Sequence, residues 1–193
     1  MKKLIAFAVA ALVAGAAFAA ITDLVNSYVI VNGAYWDASG QGHDAFHNGN
    51  LGNLYSLTLG GETTVKVSDD PHSWADGWSY DLMNWKVTTT ADPEEAAIIS
   101  GKVNLGTTEI YDDSFKTKND GVAVADFSTL TDNESYKLQV WYGISGDNES
   151  VWDSNNSANY VASFTKTAVP EPATMSLLGL GALAMVLRRK LRK

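Results

Sequence analysis

Short runs of β-branched and aromatic residues alternate with clusters of glycine, asparagine and aspartate at 27–32, 54–59, 63–68, 78–89, 97–105, 108–115, 122–127, 136–144 and 160–166. Runs of this length and spacing predict strands, and so many of them predict an all-β domain, a single β-sandwich of jelly-roll or Ig-like type. The cleanest alternation places Tyr136, Leu138, Val140 and Tyr142 on one face and Lys137, Gln139 and Trp141 on the other, so the first set should line the core. Leu59-Gly60-Gly61-Glu62 lies between two alternating segments and predicts a hairpin over 54–68, because its central glycines admit positive φ. Residues 38–53 hold four glycines and no periodicity, the pattern of a loop. Asp92 as N-cap and Pro93 at the first helical position predict one helical turn over 93–97. No long helix is expected outside the two ends of the chain.

Those ends have a different pattern. Met1-Lys2-Lys3 is a short positive region, residues 4–16 are apolar, and Ala17-Phe18-Ala19 is an A-x-A cleavage site, with Ala17 and Ala19 as the small residues. This is the make-up of a secretory signal peptide over 1–19; the short apolar stretch favours it over a retained membrane helix. At the other end, Val169-Pro170-Glu171-Pro172 must be extended and solvated, since two prolines in three residues fix φ and remove backbone donors. Residues 175–187 then carry no charge and are rich in Leu, Ala and Met. As a helix they span roughly 20 Å against a hydrocarbon core of ~30 Å, a marginal transmembrane helix. An amphipathic surface helix would need a polar face, which this run lacks. Arg188, Arg189, Lys190, Arg192 and Lys193 follow and place that end in the cytoplasm.

Residues 169–193, with the Pro170-Glu171-Pro172 tripeptide, the apolar helix and the Arg-rich end in fixed order, resemble the PEP-CTERM sorting signal. The resemblance implies an exported bacterial protein with a Gram-negative type of envelope, carried by the general secretion machinery and held transiently in the membrane. It further implies cleavage near Pro170 to Pro172 by exosortase and delivery to the cell surface or the extracellular space, often in the company of exopolysaccharide. It covers only the tail and implies nothing about the ectodomain at 20–168.

With the two ends set aside, the ectodomain carries 21 acidic residues against 7 lysines, a net charge of −14. Such a surface repels phosphate backbones, so no nucleic-acid partner is expected. Without cysteine there are no disulfide staples, thiolate metal sites or cysteine nucleophiles, and packing must supply the stability.

Few residues suggest catalysis. His43 and His47 have i, i+4 spacing, but they sit among glycines where no stable helix should form, and no HExxH is present. His72 follows Asp69-Asp70-Pro71 in a turn. Gly143-Ile144-Ser145-Gly146 brings its second glycine one residue too soon for a nucleophile elbow. The carboxylate pairs Asp69-Asp70, Glu94-Glu95 and Asp112-Asp113 are adjacent, so on a strand they point to opposite faces and cannot flank one bond. Asp147-Asn148-Glu149 and Asp112-Asp113 offer hard oxygens suited to calcium, yet no EF-hand pattern is met and no metal site is assigned.

The aromatic residues are more suggestive. Of six tryptophans, Trp36, Trp74, Trp78 and Trp152 lie beside turn-type polar residues, the pairing that lets a flat ring meet the C–H face of a sugar while Asp or Asn meets its hydroxyls. Residues 152–160 also resemble the W-D-N-N-x-x-x-N-Y stretch of some starch-binding β-sandwich modules, departing at Ser154. Trp85 and Trp141 read as core or half-buried strand residues. The expectation is therefore an exported surface or extracellular-matrix protein whose domain is structural or adhesive and not an enzyme. The alternative is a module binding extracellular polysaccharide through those four tryptophans.

Overall fold

The computed structural model describes residues 21–38, 45–68, 80–145 and 150–169. The expected signal-peptide helix, the transmembrane helix with its basic end, and the motif from Pro170 onward lie outside them, as do Trp74, Trp78, His43 and His72. β1 (Ile21–Val31) and β2 (Ala34–Asp37) form a hairpin around Asn32-Gly33. Both turn residues have positive φ, 49° and 83°, which is what a two-residue turn matching the strand twist requires. Then come β3 (Asn50–Leu54), β4 (Thr58–Val67), β5 (Tyr80–Thr88), β6 (Ile99–Asn104), β7 (Gly106–Ile110), β8 (Ser114–Ala123), a 3-10 turn (Ala125–Thr129), β9 (Ser135–Ser145), β10 (Ser150–Asp153) and β11 (Tyr160–Lys166).

These strands make two sheets, one in the order β2-β1-β4-β8-β7 and the other β3-β11-β9-β5-β6, with β10 paired to the C-terminal half of β9. The all-β expectation therefore holds. β6 and β7 are separated only by the buried Leu105, where the chain passes from one sheet to the other.

Four local expectations fail. Gly60-Gly61 is not a turn: β4 runs straight through it, and the hairpin expected over 54–68 does not exist. The glycines serve close approach instead, since a Cβ on Gly60 would lie 2.3 Å from the Asn119 carbonyl oxygen and one on Gly61 2.9 Å from Met83 Sδ of the facing sheet. The run at 108–115 is broken by a turn at Asp112-Asp113, closed by Tyr111 N–H donating to Ser114 O at 2.7 Å. The run at 122–127 is strand only to Ala123, after which the 3-10 turn drops Phe127 onto Phe164, the rings stacked at 5.8 Å. The helical turn at Asp92 stops at a single β-turn, with Glu94 N–H donating to Asp92 Oδ1 at 2.9 Å.

Between the sheets, Leu138, Val140 and Tyr142 are fully buried, as their alternation in β9 predicts. The core is nonetheless interrupted. Thr63 of β4 pairs in register with Thr117 of β8, both buried, and Ser27 of β1 bonds Thr63 Oγ1 at 3.0 Å. This hydroxyl row divides a large apolar cluster from a small one made by Val65, Val67, Phe115 and Ile144. Asp153 closes the row from the other sheet, accepting from Ser27 Oγ at 3.0 Å and from Tyr160 OH at 2.6 Å. Asp81 of β5 is buried beside it.

Candidate functional site

β5 and β9 are neighbours, and their outward residues build the candidate site on the face of the sheet that points away from the core. From β5 these are Asn84, Lys86 and Thr88; from β9, Gln139, Trp141 and Gly143. An outer face of a two-sheet domain is ordinarily wet, yet Lys86 and Gln139 are 9% and 0% exposed. The cover is the loop at 89–97, folded back over the sheet. Gln139 Nε2 donates to Thr88 Oγ1 at 3.0 Å, to Asp92 O at 3.0 Å and to Thr90 O at 3.4 Å. Lys86 Nζ donates to Pro93 O at 2.6 Å and Glu95 O at 2.7 Å. Buried polar groups are tolerated only when so satisfied, and here they satisfy loop carbonyls in return. At the loop's edge the hydroxyls of Thr89 and Thr90 hold the Glu95 carboxyl down to about 2.

The second wall is the β10–β11 connection. Asn155, Asn156, Ser157 and Asn159 all have positive φ, between 48° and 70°. Asparagine tolerates this conformation; serine does so at a cost. The turn is held by Asn159 N–H to Ser154 O at 2.8 Å, Asn155 Nδ2 to Asn159 O at 3.2 Å and Ser157 N–H to Ser154 Oγ at 3.2 Å. Asn159 Nδ2 then donates to Gln139 Oε1 at 3.1 Å, so one glutamine ties both walls to the sheet.

Between the walls is a groove of about 560 Å³, floored by Trp141 and Trp152 and bordered by Lys86, Pro93, Glu94, Ser154, Ser157 and Asn159. Trp152 is 52% exposed, and its ring lies against Gly143, its partner across the β9–β10 ladder. A Cβ on Gly143 would come within 2.4 Å of Cζ3, so only glycine lets the indole rest there. Chemically the groove offers aromatic surface, neutral hydroxyl and amide groups, and the exposed carboxylate of Glu94.

Of the four tryptophans singled out by sequence, Trp152 lines this groove, and Trp74 and Trp78 lie outside the described residues. Trp36 is half-buried and packs against the main core, so it does not join Trp152 on one surface. Asp153, expected to meet ligand hydroxyls, is turned inward onto Ser27 and Tyr160 instead, because adjacent strand residues face opposite ways. Trp141 is the residue that sequence reasoning missed. The signal was available in the period of β9, which puts Gln139, Trp141 and Gly143 on the same outward face. His47 is structural: its Nδ1 accepts from Val161 N–H at 3.3 Å and its ring meets Tyr160 edge-on at 6.3 Å. Among the described residues no three acidic or histidine side chains converge as a metal site.

The chain leaves this framework at its C-terminus. β11 ends at Lys166, which is paired with Asp132, and Thr167 N–H donates to Leu54 O at 2.8 Å. Val169 is already 66% exposed. From that point residues 168–190 match the model of the PEP-CTERM protein-sorting motif. The tail is a PEP-CTERM sorting signal. It implies export, membrane anchoring before processing, and exosortase as the processing partner. No curated protein and no solved structure matches the chain.

Proposed function

We propose that this is an exported surface or extracellular-matrix protein, a non-catalytic β-sandwich with a structural or adhesive role, delivered by way of its PEP-CTERM tail. The observation that carries the reading is the abrupt hand-over at the C-terminus: the sorting motif begins two residues after the last strand residue, Lys166. The whole two-sheet unit is thus cargo, with no intervening linker domain. The general secretion machinery removes 1–19 after Ala19. The apolar run 175–187, stopped by Arg188, Arg189, Lys190, Arg192 and Lys193, holds the protein in the membrane until exosortase cuts at Val169-Pro170-Glu171-Pro172. Mass spectrometry of the mature protein from its own cells tests this. A species beginning at Ala20 and ending within 169–172 is the expected result, and secreted protein with an intact Lys193 would refute it.

A second reading is favoured by the groove. Two tryptophans on one outward surface, with Ser154, Ser157 and Asn159 at its rim, suit a polysaccharide chain laid across the sheet. On this reading the adhesive role is the binding of extracellular polysaccharide, through Trp141 and Trp152 and without Trp36, which packs against the core.

A further inference from the structure

Resting on the polysaccharide reading, we infer that the groove selects an uncharged glycan chain and rejects anionic ones. Among the described residues of the lining the one cation is Lys86. An ammonium at a sugar site is ordinarily the group that recruits uronate, sulfate or phosphate. Here Nζ is committed to the carbonyls of Pro93 and Glu95, at 2.6 and 2.7 Å, and the side chain is 9% exposed. Turning it toward a ligand would leave two loop carbonyls without their donor and release the wall that shapes the groove. Lys86 is therefore a positioning residue and not an anion receptor.

The remaining groups point the same way. Glu94 is the carboxylate among the described residues of the lining; a carboxylate accepts hydrogen bonds from hydroxyls and repels acidic groups. Ser154, Ser157 and Asn159 are neutral, and the indole of Trp152, laid on Gly143, offers an apolar face to the C–H face of a sugar ring. The ectodomain as a whole has 21 acidic residues against 7 lysines, so a polyanion meets repulsion before it arrives. A neutral chain meets no such penalty, and its binding should be nearly independent of salt.

The test uses the full chain in detergent and immobilised polysaccharides: mixed-linkage glucan, soluble starch and galactomannan as neutral probes, alginate and polygalacturonate as anionic ones. At about 0.15 M salt, where exposed charges act over roughly 8 Å, at least one neutral polymer should bind about tenfold more tightly than either anionic polymer. Trp152→Ala and Trp141→Ala should each weaken that binding by about tenfold, with the circular dichroism spectrum unchanged. Glu94→Gln should narrow the gap between the two classes of polymer. Anionic polymers that bind as well as neutral ones, and lose binding in Trp152→Ala, would overturn the selectivity while leaving the polysaccharide reading in place. Binding to none of the five polymers, or binding indifferent to both tryptophan substitutions, would overturn both.

Discussion

The two faces of β5 bury polar groups in opposite ways. Outward, Lys86 and its neighbour Gln139 on β9 are sealed under the loop at 89–97, and the amine and both ends of the amide find partners on that loop or on Asn159. Inward, Asp81 is 8% exposed and neither carboxylate oxygen has a hydrogen-bond partner. Thr117 is beside it and Tyr142 is near enough to feel its charge, and neither is a cation. The first arrangement converts buried polarity into a fixed wall for the groove. The second leaves a buried carboxyl that favours its neutral, protonated form. The outward side has a small defect of its own, in that Asn84 Nδ2 is buried without a partner, but a neutral amide costs far less than an ionised carboxylate.

The largest effect to expect from this contrast is a pH dependence of stability. Burial raises the Asp81 carboxyl from 3.8 to about 7, offset only in part by the nearby Thr117 hydroxyl, which does not reach hydrogen-bonding geometry. A raised value means that the folded protein keeps its proton where the unfolded chain has lost it. The associated stability is complete below about pH 4, falls as pH rises, and is gone above about pH 7. A shift of this size corresponds to roughly 4 kcal/mol as an upper bound. Denaturant unfolding at intervals from pH 4.5 to 8 should show the decline, and Asp81→Asn should flatten it and raise stability at pH 8. A wild-type slope retained in Asp81→Asn would place the pH dependence elsewhere.

Next in size is the loss of the satisfied side. Gln139→Leu keeps the volume but removes the amide, leaving Asn159 Nδ2 without its acceptor and the loop without its tie to β9, while Thr90 O keeps the Thr88 hydroxyl and Asp92 O keeps the Glu95 N–H. One buried group left in this state costs about 1–3 kcal/mol, and release of the loop to water should hold the total near the upper end. Urea unfolding measures the loss, and hydrogen exchange over 89–97 should accelerate before the strands do. If instead the loop kept its protection in Gln139→Leu, the glutamine would not be what fixes the wall.

Much of this architecture is written in the period of the strands, and the parts that are not have physical reasons. β9 is legible because Tyr136, Leu138, Val140 and Tyr142 recur every second position and the two sheets bury all four. The same period puts Asp81 on the face of Met83, Trp85 and Val87, so its burial was in principle readable. What the pattern cannot convey is that a carboxylate there would find no partner. Gly60-Gly61 misled for a related reason: glycine marks either positive φ or close approach, and only the facing Met83 and Asn119 reveal which. The two-residue turn went instead to Asn32-Gly33. Trp141 was passed over because an aromatic in an alternating strand reads as packing. Its role depends on the loop at 89–97, far earlier in the chain, folding back over the sheet, which no local pattern shows.

The smallest effect expected is also the most local, and it asks whether the outward face holds its aromatic floor as firmly as its wall. Gly143→Ala adds one methyl group whose position is 2.4 Å from Trp152 Cζ3 and 2.7 Å from Cε3. The strand has no reason to move, since β9 is paired on both sides, by β5 and by β10. The ring must therefore lift or swing, and because Trp152 is half exposed it has room to do so. Overpacking in a closed core costs about 1–3 kcal/mol; at this open site the cost should stay near 1 kcal/mol. Binding should suffer more than folding, because a tilted indole no longer presents a flat face beside Trp141. The expected signature is a changed tryptophan emission and weakened glycan capture at nearly constant urea midpoint. A variant that loses several kcal/mol would show instead that the floor is part of the fold rather than a surface laid upon it.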